Sequence, residues 1–170
     1  FLPSAASRGV APPPVLARHR FPEDWRGLLV TPDIDAGAHG RREIDIFRTH
    51  CPVPLHEVRE LCHEVLMRMI PGLVEQDIDL FGSAINRTQA LGFKKVEVAM
   101  QHPVVSSLIE AMVEAGAAGA GLSSFGPTVY AVGDSGMADV ARAAKEVLGD
   151  RGGTVIPTRA RNDGAAVRAE

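Results

Sequence analysis

Apolar residues recur along this chain in two periods, and the switches between them mark its elements. Trp25-Arg26-Gly27-Leu28-Leu29-Val30-Thr31 is a short apolar run closed by Pro32 and reads as a buried strand, with Trp25 capping the core at its entrance. Over residues 55–70 the period lengthens. Leu55, Val58, Cys62, Val65, Leu66 and Met69 fall on one stripe of a helix, Pro54 suits its first turn, and Pro71-Gly72 ends it. That stripe places Cys62 in the core. A second helix is predicted over residues 76–91, with Ile78, Phe81 and Ile85 inward, Asn86 at the edge of the stripe facing a cleft, and Arg87 opposite. Pro103 opens a third helix that Gly116 stops, with Val104, Val105, Leu108, Ile109, Met112 and Val113 on its buried face. A strand over 128–132, a helix over 136–148 with Met137, Val140, Ala144 and Val147 inward, and a last strand over 154–157 complete the series. Residues 43–47 fit both periods: Ile44 with Phe47 makes a helical turn, Ile44 with Ile46 a strand.

This order lacks the regular strand-helix alternation of a doubly wound fold. It predicts an α+β domain, ferredoxin-like, with a mainly antiparallel sheet covered by helices on one face. The domain spans residues 25–158, between an extended proline-rich arm (1–24, with Pro12-Pro13-Pro14) and a polar tail (159–170). If the arm docks, Val15, Leu16 and Phe21 are the residues to pack.

The stretch 116–124, a small-residue strand or loop in the order of elements, carries almost no side chain and runs into an apolar strand. Two readings stand: a tight turn packed under a helix, or a cradle of exposed amides around an anion, to which the Ser123 and Ser124 hydroxyls add. Lys94 and Lys95, paired in an apolar connection over 92–98, are either solvated charges or a meeting point for an anionic ligand. Asp33, Asp35 and His39 are metal-ligand types in a glycine-rich loop, but their spacing matches no known site and the loop reads as a solvated turn. His56, Glu60 and His63 have helical spacing without an HExxH pattern and read as surface, so no metal ligands are assigned.

With 170 residues and 45% hydrophobic content the chain can bury a sizeable core. A net charge of −3 and no basic block argue against nucleic acid. The two cysteines, Cys51 and Cys62, form no CxxC and no disulfide framework. No apolar run is long enough to span a bilayer and no signal peptide is evident, so a cytoplasmic setting is expected. The chain begins at Phe1 instead of Met, as a processed or engineered product or a piece of something longer would.

Residues 119–132, Gly-Ala-Gly-Leu-Ser-Ser-Phe-Gly-Pro-Thr-Val-Tyr-Ala-Val, resemble the third motif of the GHMP kinase superfamily. Several further stretches are similar to the β-ribofuranosylaminobenzene 5′-phosphate synthase family: Phe21-Pro22-Glu23-Asp24-Trp25-Arg26, Phe47-Arg48-Thr49-His50-Cys51-Pro52, Gly92-Phe93-Lys94-Lys95-Val96-Glu97-Val98 and Gln101-His102-Pro103. The resemblance runs over nearly the whole chain and implies its C-terminal half. The superfamily's N-terminal phosphate loop, of the type Pro-x-x-x-Gly-Leu-Gly-Ser-Ser, has no match here, so the resemblance implies a missing N-terminal half and an isolated chain without a complete active site. It implies an enzyme of tetrahydromethanopterin biosynthesis that joins phosphoribosyl pyrophosphate to 4-hydroxybenzoate or 4-aminobenzoate with loss of CO2 and pyrophosphate, assisted by Mg2+. For the site it implies Gly119, Gly121, Ser123, Ser124 and Gly126 as amide or hydroxyl donors to phosphate, Arg87, Lys94 and Lys95 as neutralising cations, and Asn86 orienting a hydroxyl. The alternatives are a GHMP-type small-molecule kinase half using ATP, and a non-catalytic ligand-binding domain, possible as a homodimer.

Overall fold

Four strands form the spine. β1 (Arg26–Pro32), β2 (Gly119–Leu122), β3 (Val129–Gly133) and β4 (Gly153–Thr158) pair in the order β2-β3-β1-β4, every neighbour antiparallel. The computed structural model describes residues 14–164 except Ala36 and His39. The Pro12-Pro13-Pro14 reading, apart from Pro14, and His39 therefore lie outside the described residues.

Period-two alternation sorts the sheet's faces. Leu28 and Val30 of β1, Ala120 and Leu122 of β2, and Val129 and Ala131 of β3 point to one face. There they meet Val104, Val105, Leu108 and Met112 of α6 (Pro103–Glu114) and Val140, Ala144 and Leu148 of α7 (Met137–Leu148), making the main core. Both helices are where the periodicity places them.

The opposite face is only part covered. α4 (Ile78–Gln89), capped by Asp77 accepting from the Leu80 amide, lies against it at the β2 end, so the helices are not confined to one face. Phe81 and Ile85 of α4 join Trp25, Val132, Tyr130 and Phe21 in a second cluster, and Phe21 meets Trp25 and Phe81 edge-on. Asn162 fixes Phe21 by accepting from its amide (2.8 Å) and donating to its carbonyl (2.9 Å). Val15 and Leu16 of the arm stay exposed. So do Leu29 and its cross-strand partner Ile156.

Two segments depart from the sequence reading, and two that it leaves open take a definite form. The helix of residues 55–70 does not stop at Pro71-Gly72: α2 (Leu55–His63) passes through a widened π turn (Glu64–Met69) into α3 (Ile70–Glu75). In an α-helix the Pro71 ring would meet the carbonyl four residues back. The wider turn, in which the Ile70 amide reaches the Val65 carbonyl, gives it room. Of the stripe on this rod only Met69 packs into a core cluster, the second one. Leu55, Leu66 and Met67 are 62%, 56% and 64% exposed, and Cys62 is exposed too. Residues 92–98 are no connection but a helix, α5 (Gly92–Ala99), and the ambiguous segment 43–47 belongs to helix α1 (Arg41–His50). Finally, half of the small-residue stretch is the buried edge strand β2.

Among the described residues no helix is long and apolar enough to cross a membrane.

Candidate functional site

Glycines in β2 let α4 approach. A Cβ on Gly119 would lie 2.6 Å from the Gly82 carbonyl oxygen, and one on Gly82 would lie 2.2 Å from the carbonyl carbon of Ala118. A Cβ on Gly121 would strike the Gln89 side chain at 2.6 Å. Contact this close lets α4 seal the free edge of the sheet with side chains. Asn86 accepts from the Ala120 amide (2.9 Å) and donates to the Ala118 carbonyl (3.1 Å), and Gln89 accepts from the Leu122 amide (2.9 Å). The structure thus places Gly119, Gly121 and Asn86 in a helix-to-strand joint. Tyr130 lies beneath it, where burial pushes its phenol up against a lesser opposing pull from Gln89.

Beyond Leu122 the chain turns through Ser123-Ser124-Phe125-Gly126. The Ser123 amide donates to the Thr128 carbonyl (2.9 Å) and the Gly126 amide to the Ser123 carbonyl (2.8 Å). Ser124 holds a φ of 49° and Gly126 one of 68°, left-handed values that glycine adopts freely and serine at some cost. The Ser124 and Phe125 amides donate to no acceptor among the described residues. The cradle suggested by the sequence therefore comes down to two amides and the exposed serine hydroxyls.

Three other segments converge on this turn. Lys94 of α5 donates from Nζ to the Ser124 carbonyl (3.2 Å) and pairs with Glu97 on its own helix. Gln101 donates from Nε2 to the Phe125 carbonyl. Gly37, in the loop after β1, packs so closely that a Cβ there would lie 1.7 Å from the Phe125 oxygen. Behind the turn Phe125 meets Phe47 of α1 and Phe93 of α5 edge-on, while those two rings stack at 4.3 Å. The rings tie α1, α5 and the turn into one unit. In front lies a cavity of about 240 Å3, whose lining includes Ile34, Asp35, Arg42, Met100, Gln101 and His102.

Of the sequence candidates, Ser123, Ser124, Gly126 and Lys94 meet at this turn. Arg87 and Lys95 do not. Arg87 pairs with Glu60, whose carboxylate pushes the guanidinium further up, and Lys95 pairs with Glu57 (2.8 Å), so both fasten α2 to its neighbours. Gln101, His102 and Arg42 line the cavity but were not among the sequence candidates. The first two lie in a stretch carrying the family resemblance, and Arg42 in a loop that reads as solvated. Among the described residues no group of three or more His, Cys, Asp or Glu side chains is placed to hold a metal ion.

The model of GHMP kinases C terminal matches residues 69–150, which contain α4, the sealed edge and the turn. A β-ribofuranosylphenol 5′-phosphate synthase of Methanothermobacter thermautotrophicus is 47% identical over 97% of this chain and 49% of its own length. One from Methanocaldococcus jannaschii is 46% identical over 96% and 48%. The chain spans about half the length of the curated relatives it matches. Among solved structures, a homoserine kinase from Cytophaga hutchinsonii superposes with a TM-score of 0.68 at 19% identity, over 84% of this chain and 44% of that one. A mevalonate kinase from L. major, in complex with R-mevalonate, does so at 0.59 and 18%, over 79% and 43%. At such identities the structures speak for the fold alone. The chain carries a GHMP kinase C-terminal domain, and across nearly all of its own length it is a homologue of the β-ribofuranosylphenol 5′-phosphate synthases, of which it spans about half.

Proposed function

We propose that this chain is the C-terminal part of a synthase that condenses phosphoribosyl pyrophosphate with a para-substituted benzoate, within tetrahydromethanopterin biosynthesis. The observation that carries the reading is 43–47% identity to three named synthases over 96–98% of the chain. Their name refers to a ribofuranosylphenol, and 4-hydroxybenzoate is the substrate whose decarboxylation leaves a phenol ring. In the reaction the ring carbon bearing the carboxylate bonds to the sugar's anomeric carbon, the bond to pyrophosphate breaks, and the carboxylate departs as CO2.

Such a site has to bind a leaving pyrophosphate and shelter a positively charged sugar from water. The Ser124 and Phe125 amides, the Ser123 and Ser124 hydroxyls and Lys94 are the groups this chain offers toward a phosphate. Mg2+ would neutralise pyrophosphate charge when bound with it, a role in which the metal ordinarily takes few protein ligands.

The remainder of the site belongs to a companion N-terminal half, which we place on the exposed stripe of α2 and the π turn. Leu55, Val58, Leu66 and Met67 form an apolar surface of the kind that marks an interface, and relatives about twice as long have a second part to cover it. The test is to join the chain to that half and supply either phosphoribosyl pyrophosphate with 4-hydroxybenzoate, or ATP with small alcohols. CO2 and pyrophosphate release supports the synthase. Phosphorylation from ATP without CO2 release refutes it.

A further inference from the structure

The cavity in front of the Ser123–Gly126 turn carries opposite charges that do not neutralise each other. Arg42 and Asp35 line the same space, yet neither makes an ion pair with the other or with any described residue. His102 lines the same space, and its Nδ1 accepts from the Val104 amide (3.1 Å) at the N-terminus of α6. That bond fixes the tautomer: Nδ1 is the bare nitrogen, and Nε2–H is the donor left for a ligand. Gln101 has its amide nitrogen committed to the Phe125 carbonyl. Ile34 and Met100 give the cavity apolar walls. The set amounts to a cation and an N–H donor for an anionic group, a carboxylate for a donating group, and apolar surface between.

A phosphate or pyrophosphate is anionic on every side and would bring charge against Asp35. A small flat molecule with an apolar middle, one carboxylate and one hydrogen-bond donor suits the set, and 4-hydroxybenzoate and 4-aminobenzoate share that pattern. The geometry points to this cavity as the seat of the aromatic acid, with its carboxylate on Arg42 and the His102 Nε2–H and its para hydroxyl or amino group donating to Asp35. Acceptance of either para group follows, because Asp35 asks only for a donor. The ligand's identity rests on the synthase reading above; the placement of charges does not.

The test is calorimetric titration of the 170-residue chain with 4-hydroxybenzoate, 4-aminobenzoate, unsubstituted benzoate and inorganic pyrophosphate. Both para-substituted acids bind, and benzoate binds about tenfold more weakly for want of a hydrogen bond to a charged acceptor. Arg42→Ala weakens all three acids by at least about tenfold. Asp35→Ala removes the advantage of the para-substituted acids while leaving benzoate unchanged, a split that a merely structural role would not produce. His102→Asn keeps an N-cap for α6 while shifting the donor, and weakens the acids without unfolding the chain. Tighter binding of pyrophosphate than of the acids, equal binding of benzoate and its para-substituted forms, or no binding overturns the assignment. Binding as described without CO2 release by the joined protein leaves the cavity assigned and refutes the synthase. CO2 release with a benzoate KM indifferent to Arg42→Ala and Asp35→Ala does the reverse.

Discussion

Asn86 is the residue on which sequence and structure put different weights, and replacing it gives a measurable answer. Its side chain makes two hydrogen bonds to the edge of β2, one accepting from the Ala120 amide and one donating to the Ala118 carbonyl. Ala120 is fully buried, so Asn86→Ala orphans a donor that water cannot reach. Each hydrogen bond contributes about 0.5–1.5 kcal/mol net, and an unsatisfied buried group costs about 1–3 kcal/mol. The two figures overlap for Ala120, giving a loss of about 2–4 kcal/mol from a stability that for a domain of this size is on the order of 5–15 kcal/mol. The single tryptophan reports it directly, since Trp25 packs against Phe81 of the same helix at 5.1 Å. Urea unfolding followed by Trp25 fluorescence should shift its midpoint down by about 1–2 M at a slope of about 2 kcal/mol per M. Asn86→Asp keeps the acceptor but loses the donor and turns a charge toward the Ala118 carbonyl, so it too destabilises. A change below about 0.5 kcal/mol in Asn86→Ala would refute the edge-sealing role and return Asn86 to the pool of ligand-facing residues.

Three further outcomes follow from the packing. Gly82→Ala drives a methyl into the Ala118 backbone and costs about 1–3 kcal/mol, whereas Gly164→Ala enters open space and shifts the urea midpoint negligibly. Glu57 has its carboxyl held below the usual value of 4.5, first by the hydrogen bond from Lys95 and then by the Gly92 amide. Because the folded pKa is the lower one, its stabilisation is present above 4.5 and fades as the pH falls through the depressed value. The stability gap between the native chain and Glu57→Gln, measured by urea unfolding across pH, should therefore close in acid, and a gap that widens there contradicts the assignment. Leu66→Asp with Met67→Asp, both at exposed positions, should leave the fold of the chain intact by circular dichroism yet abolish its association with the companion half in size-exclusion chromatography. Association unchanged moves the interface elsewhere, and loss of a self-dimer instead makes the stripe a homodimer surface.

The legible parts of this fold are those in which a single face decides everything. In α6 and α7 the apolar positions meet the sheet, so periodicity and burial coincide. The rod beginning at Leu55 has an equally good stripe, but amphipathicity says only that a face is to be covered, and here Met69 packs into the second cluster while Leu55, Val58, Val65 and Leu66 stay exposed. Pro71 read as a stop because the rule assumes α geometry, which the π turn suspends. In the stretch 116–124 the absence of side chains left strand and loop equally open, and in β2 it is what admits Gly82 of α4 to the strand's backbone. Of the candidate site, the turn and Lys94 beside it were legible. Arg42, Gln101 and His102 were not, since ordinary polar residues in separate segments signal nothing until the fold brings them to one cavity.

Isotope tracing tests the central claim most directly. The joined protein is given phosphoribosyl pyrophosphate and 4-hydroxybenzoate labelled in the carboxyl carbon, and both CO2 and the ribosylated product are examined. The account predicts that the label leaves entirely as CO2, one for each pyrophosphate released, and that the product is an unlabelled phenol bonded through carbon to the sugar phosphate. Label retained in the product, or pyrophosphate released without CO2, would contradict it.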